Sequence, residues 1–179
     1  MPNWCEDWLT VVGPKAALER FEKITNGGEL RSEDEPQGDF IMHDLIPIPK
    51  YEQEDDTNWL MNTQNYWGVK WSESDVSSFT REKDMGVGMA SMHLQISTPW
   101  GPPLTFITHA SKMFPELLFD IVFDEAGMNF SGHFTIRDGN VLINDERNSM
   151  STWMDEDGNE LEEPEYRHND YFLTAEELA

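Results

Sequence analysis

Apolar and polar residues alternate with a period of two in several short stretches of this chain, and other segments carry apolar residues at spacings of three and four. The first pattern puts alternate side chains on opposite faces of a strand. The second gathers them on one side of a helix. The clearest strand is residues 91–98, where Met92, Leu94 and Ile96 alternate with Ser91, His93, Gln95 and Ser97, so one face should be buried and the other polar. Residues 117–123 read as a strand with Phe119, Ile121 and Phe123 on one face. Residues 8–12 form a short strand ending at Gly13. Pro14 suits a first helical position, and Ala17, Phe21 and Ile24 supply a stripe that Gly27 and Gly28 bring to a stop. Residues 40–43 are expected as a second strand, ended by Pro47 and Pro49, which lack a backbone donor. Residues 58–66 read as a short helix carrying Trp59 and Leu60 inward.

After the strand at 91–98, Pro102 and Pro103 open a further helix whose apolar stripe is Leu104, Ile107 and Phe114. Past Gly127 the pattern turns to hairpins: residues 134–137, the turn pair Asp138-Gly139, and residues 141–143 returning. A second turn pair, Asp157-Gly158, follows Trp153. The order strand, helix, strand, strand, helix, strand predicts an α+β ferredoxin-like sandwich, two helices on one face of an antiparallel sheet, with a C-terminal β-hairpin extension. The expected division is a ferredoxin-like domain with acidic loop insertions over residues 1–145, and an acidic C-terminal extension over 146–179 packed on or near the sheet. The second sheet face is left for the extension, a partner or water.

Composition adds that 38% hydrophobic and 12% aromatic residues suffice for a real core, so this is no disordered acidic tail. Cys5 is the single cysteine and makes no internal disulfide, and no basic-then-apolar leader opens the chain. No stretch approaches the roughly 20 apolar residues of a membrane span. A soluble protein of a reducing, cytoplasmic setting in a host cell is expected. Charge changes the picture most: 35 Asp and Glu against 12 Lys and Arg give a net −23. Such a surface rejects nucleic acid and anionic membranes and is drawn to basic partners. The acids run together at Glu33, Asp34 and Glu35; at Glu52, Glu54, Asp55 and Asp56; and at Asp155, Glu156, Asp157, Glu160, Glu162, Glu163 and Glu165, with Trp153 and Tyr166 among the last set and Tyr171 and Phe172 beyond it. Any one run reads as a solvated loop.

Four short strings carry a resemblance: Pro2-Asn3-Trp4-Cys5, Trp67-Gly68-Val69-Lys70-Trp71, Thr98-Pro99-Trp100-Gly101-Pro102-Pro103 and Gly127-Met128-Asn129-Phe130-Ser131-Gly132. In this order, over residues 1 to about 145, the chain resembles the YubB ferredoxin-like family, encoded largely by phages, plasmids and other mobile elements. The resemblance implies the fold and a mobile-element origin, and it brings no catalytic residues. Polar uncharged residues follow the opening cysteine in many relatives, whereas Glu6 and Asp7 stand here. That departure makes the acidity look like a specialisation of this chain.

Candidate chemistry is sparse. Trp67, Lys70, Trp71 and Trp100 suggest an aromatic recess, or else loop anchors with Lys70 paired to a carboxylate. Among His43, His93, His109, His133 and His168 no two have the i, i+4 spacing of a helical zinc site, although His93 and His133 with Asp124 or Glu125 would form a metal or general-base site if the fold joined them. Asp155, Asp157, Asn159 and Glu160 fail the calcium-loop pattern, with Glu160 where glycine belongs and Tyr166 where a bidentate Glu belongs. Gly86-Val87-Gly88 lacks the third glycine and the basic residue of a phosphate loop. No catalytic residue, cofactor or metal is expected. The reading is an acidic inhibitor that binds a basic host protein handling DNA or RNA, such as a restriction or CRISPR effector, its acidic runs with Trp153 and Tyr166 mimicking nucleic acid. The competing readings are a ligand- or metal-binding protein using the Trp/His recess, and a structural accessory whose acidity serves solubility.

Overall fold

The computed structural model describes residues 3–32, 38–49, 58–82 and 85–147. Their elements run β1 (Trp4–Pro14), α1 (Lys15–Thr25), β2 (Gly38–Ile41), α2 (Met42–Leu45), α3 (Trp59–Tyr66), β3 (Glu73–Glu82), β4 (Met89–Pro99), α4 (Leu104–Met113), β5 (Leu118–Glu125), β6 (Phe130–Arg137) and β7 (Asn140–Arg147). The strands form one antiparallel sheet in the order β2-β3-β4-β1-β5-β6-β7. Its middle is the ferredoxin-like core: α1 links β1 to β3 across β4, and α4 links β4 to β5 across β1. The predicted fold class is the observed one, with β2 added at one edge and the β6–β7 hairpin at the other.

Register assigns the faces. Leu9 of β1 stands beside Leu94 of β4 and Ile121 of β5, and Val11 beside Met92 and Phe119. These side chains are buried, and Phe21 of α1 packs edge-on against Phe119 at 5.2 Å and Phe114 at 5.5 Å. Phe40 of β2 meets Phe106 of α4 at 5.5 Å. Large apolar groups from two helices and four strands thus exclude water from one side of the sheet. On that side Glu22 of α1 is fully buried, accepting from the Arg31 backbone at 2.7 Å and from Arg81 of β3, whose guanidinium lies 5.2 Å from the Phe79 ring.

Three expectations need correction. The strand beside β4 is β3, whereas residues 40–43 contribute an edge strand that stops at Ile41; the Met42 N–H then turns to the Ser72 carbonyl at 2.9 Å and starts α2, so His43 is helical. β3 escaped the period-two reading because a bulge between Val76 and Ser78 sets its buried apolar residues, Val76 and Phe79, three apart. In α3 the inward residue is Thr63, while Trp59 and Leu60 are exposed.

The hairpin turn is as expected: Asp138 at φ 49° and Gly139 at φ 72° give the two left-handed residues that match the twist of paired strands. On β6, Gly132 is pressed against Phe123, and a Cβ there would come within 2.4 Å of the Phe123 ring and 2.5 Å of the Asp145 carbonyl. Gly132→Ala is therefore expected to cost about 1–3 kcal/mol by overpacking. A urea titration measures this, and an unchanged midpoint would contradict the packing.

Candidate ligand cleft and tryptophan patch

A cavity of about 360 Å³ opens where α2, α3 and the start of β3 converge, lined among the described residues by His43, Ile48, Trp59, Asn62, Thr63, Trp67, Ser72 and Glu73. Trp59, Asn62, Thr63 and Trp67 are spaced i, i+3, i+4 and i+8, so α3 and its C-cap present them on one side. Trp67 is buried and fixed: its Nε1–H donates to the Ile46 carbonyl at 2.8 Å, and its own carbonyl accepts from the Phe106 N–H at 3.2 Å. The His43 ring stands edge-on to it at 5.9 Å. Thr63 Oγ1 donates to the Leu60 carbonyl at 3.0 Å, which leaves its lone pairs to accept.

Beside the cleft, the Lys70 ammonium lies 4.7 Å from the Trp100 ring centroid, 5.2 Å from Trp71 and 5.9 Å from Trp59. Trp4 closes the group edge-on to Trp71 at 5.9 Å. The expected recess residues do gather, but Lys70 meets indole faces and no carboxylate among the described residues. Cation–π attraction of about 0.5–2 kcal/mol holds such a charge. Trp100 adopts a left-handed backbone, φ 73°, with its N–H given to the Asn3 carbonyl at 2.9 Å, so its ring is positioned at a conformational cost. Trp4, Trp59 and Trp100 remain 46%, 42% and 42% exposed. Sequence reading missed Trp4 and Trp59 here, and missed Asn62, Thr63 and Glu73; the helical spacing from Trp59 was the available signal.

The sheet face away from the helices carries polar rows. Thr10 stands between His93 and Asp120, and Asp120 beside Thr135. His93 contacts Thr10 Oγ1 through Nδ1 at 3.0 Å and Ser91 Oγ through Nε2 at 3.2 Å. His133 Nε2 is 2.6 Å from Asp120 Oδ1, which also accepts from Thr135 Oγ1 at 2.5 Å. His93 and His133 share the face without meeting, because β1 and β5 lie between their strands, three steps of about 4.8 Å. The proposed His93/His133 site is thus not assembled. Asp124 is on this face but paired across to Ser131, and Glu125 is on the other, accepting from the Gly127 and Met128 N–H groups at 2.9 and 2.6 Å. No cluster of three metal-ligating residues occurs among the described residues.

At the other end of β1, Cys5 and Asp7 point into the core. Burial pushes the Cys5 thiol far above its usual range, so the buried sulfur keeps its proton. Burial also raises Asp7 to about 8, against the opposing hydrogen bonds of Thr98 and Cys5. Thr98 Oγ1 lies 2.5 Å from Asp7 Oδ2 and 2.7 Å from the Gly101 carbonyl. One hydroxyl hydrogen cannot serve both acceptors; a protonated Asp7 resolves this by donating to Thr98, which donates to Gly101. Asp7 is therefore a core residue, and of the two acids after the opening cysteine only Glu6, partly exposed and accepting from Ser97 Oγ at 3.0 Å, contributes to the anionic surface.

The residues expected to bind a partner, Glu33, Asp34, Glu35, Glu52, Glu54, Asp55, Asp56, Trp153, Asp155, Glu156, Asp157, Glu160, Glu162, Glu163, Glu165 and Tyr166, all lie outside the described residues, as do His168 and the Asp157-Gly158 turn. The described residues hold 17 Asp and Glu and 9 Lys and Arg, so 18 of the 35 acids and only 3 of the 12 bases lie outside them. Gly86 and Gly88 belong to the tight turn joining β3 and β4, closed by Met89 N–H to the Gly86 carbonyl at 3.0 Å. No described helix is long and apolar enough to cross a membrane.

No curated protein matches this chain. A solved structure, the protein api92 from Yersinia pseudotuberculosis, is similar at 14% identity and a TM-score of 0.40 over 53% of this chain, which spans 31% of that one. A family model described as the ferredoxin-like domain in Api92-like proteins matches residues 66–164, more than half of the 179. The sheet order, the two crossing helices and this match agree, and the chain belongs to the family of Api92-like proteins that carry this ferredoxin-like domain.

Proposed function

We propose that the protein is a non-enzymatic, mobile-element-encoded inhibitor that docks on a basic host protein handling DNA or RNA, of the restriction or CRISPR effector kind, and offers carboxylates where that protein expects phosphates. The observation that carries the reading is the pairing of charge with exposed tryptophan. The run Glu52, Glu54, Asp55, Asp56 leads directly in sequence into α3, whose first residues Trp59, Leu60 and Met61 are exposed, and Trp100 and Trp4 extend that patch. Acids accelerate the approach of a basic surface and fix its orientation, while exposed tryptophans are the residue type that most often anchors an interface. The likeness to the YubB family supports the mobile-element origin.

The test is capture from host lysate at low and high salt, followed by competition with DNA and RNA. The expected partner is retained at low salt, is released at high salt because exposed charges are screened beyond about 8 Å at physiological ionic strength, and loses nucleic-acid binding in the complex. Replacing Glu52, Glu54, Asp55 and Asp56 together by their amides is expected to slow association by about tenfold. A partner indifferent to salt, or one that still binds nucleic acid within the complex, would refute the proposal.

A further inference from the structure

The cleft at α2, α3 and β3 has a recognisable chemical bias. Its walls are the indoles of Trp59 and Trp67 and the side chain of Ile48. The Trp67 N–H is already given to Ile46 and the ring is 5% exposed, so it adds apolar surface to the cleft and no donor. Thr63 has also given its hydrogen away and can only accept. Glu73, exposed at the first position of β3, is the one Asp, Glu, Lys or Arg among the described lining residues, and its carboxylate has no side-chain partner among the described residues. Trp59 is 42% exposed, and the Lys70 ammonium 5.9 Å from its ring centroid shows that this indole accommodates a cation.

We infer that this cleft binds a guanidinium group, flat against indole and paired to Glu73. Guanidinium is planar, carries five N–H donors and no acceptor, stacks on aromatic faces and engages a carboxylate with two parallel hydrogen bonds. Its needs are acceptors, which Glu73 and Thr63 provide, and flat apolar walls, which the indoles provide; His43, Asn62 and Ser72 complete the described lining with groups that both donate and accept. A bare alkylammonium would find the charge but not the plane, and a urea the plane but not the charge. The volume, about 360 Å³, exceeds that of the group alone and admits its alkyl stem. The inference stands without the proposed partner, since the bound group can belong to a free small molecule or to an arginine side chain.

Purified protein titrated with butylguanidine, and read by indole fluorescence and by the Trp59 Nε1–H resonance, tests this. Saturable binding is expected, with butylamine, which has the same charge, and butylurea, which has the same plane, each about tenfold weaker or more, the worth of one charge-assisted hydrogen bond. Glu73→Gln should weaken butylguanidine by about tenfold, whereas Asp138→Asn, on the β6–β7 turn at the other edge of the sheet, should leave it unchanged. Because the protein is strongly anionic, this second variant separates a site from general attraction. A short peptide with an internal arginine identifies the source: binding as tight as butylguanidine assigns the cleft to a protein side chain, and exclusion assigns it to a free guanidine. Equal affinity for butylamine and butylguanidine, or equal losses in the two variants, would overturn the inference. These measurements involve no host protein, so they succeed or fail independently of the capture experiment.

Discussion

Asp7→Asn is expected to stabilise the protein at pH 8 and to remove most of the pH dependence of its stability between about pH 4 and 8. The carboxyl is fully buried on the central strand, and burial raises it to about 8 from an ordinary value of 3.8. Between those values the folded state holds a proton that the unfolded state has lost. Stability therefore falls as pH rises through this window, the contribution of the protonated group being complete below about pH 4 and gone above about 8. At about 1.4 kcal/mol per unit, the whole window amounts to about 6 kcal/mol. Asparagine has the same shape and no charge to bury; its carboxamide can donate to Thr98, which keeps its hydrogen for the Gly101 carbonyl. Urea unfolding of both proteins at pH 5 and pH 8 is the measurement. They should differ little at pH 5 and by several kcal/mol at pH 8. Parallel pH profiles would mean that Asp7 is ionised in the fold.

Glu22→Gln should be among the most destabilising single changes, costing about 3–5 kcal/mol. Glu22 is buried on α1 and faces two arginines, the largely buried Arg81 on β3 and the buried Arg31 beyond the helix, which stack toward the Phe79 ring at 5.2 and 5.9 Å. Arg31 has Nε and Nη1 buried without hydrogen-bond partners, and burial lowers its proton affinity. Removing this carboxylate leaves the Arg81 guanidinium without its ion-pair partner and Arg31 with only the weaker attraction of Asp39. Adding Arg81→Met to Glu22→Gln should restore at least about 1 kcal/mol, because the second change removes one stranded cation. Strict additivity of the two changes in a double-mutant cycle would show that the carboxylate does not compensate these charges.

β4 and β5 keep an unbroken period of two, with Met92, Leu94 and Ile96 in one and Phe119, Ile121 and Phe123 in the other, so face and extent followed from the residues alone. The β6–β7 hairpin was legible because Asp-Gly is a local solution to a local problem. β3 was not: its inward positions include Ser74 and Arg81, and the bulge after Val76 shifts its phase, so no local pattern marks it. The tryptophans near Lys70 in sequence could be named together, but Trp59 and Trp4 join them only through the packing of α3 and the start of β1 against the loop after β4.

The sequence by itself determined the class of fold, the helix and hairpin punctuation and the sign of the surface, because periodicity, turn chemistry and net charge are properties of neighbouring residues or of sums. Only the tertiary structure decided what individual polar residues do. Asp7 reads as one more surface acid until the register of β1 turns it inward, His93 and His133 read as a pair until two strands separate them, and Glu73 carries no signal at all until the fold sets it in one cleft with Trp59 and Trp67. Burial and distance fix a charge's role, and both arise from contacts between residues far apart along the chain.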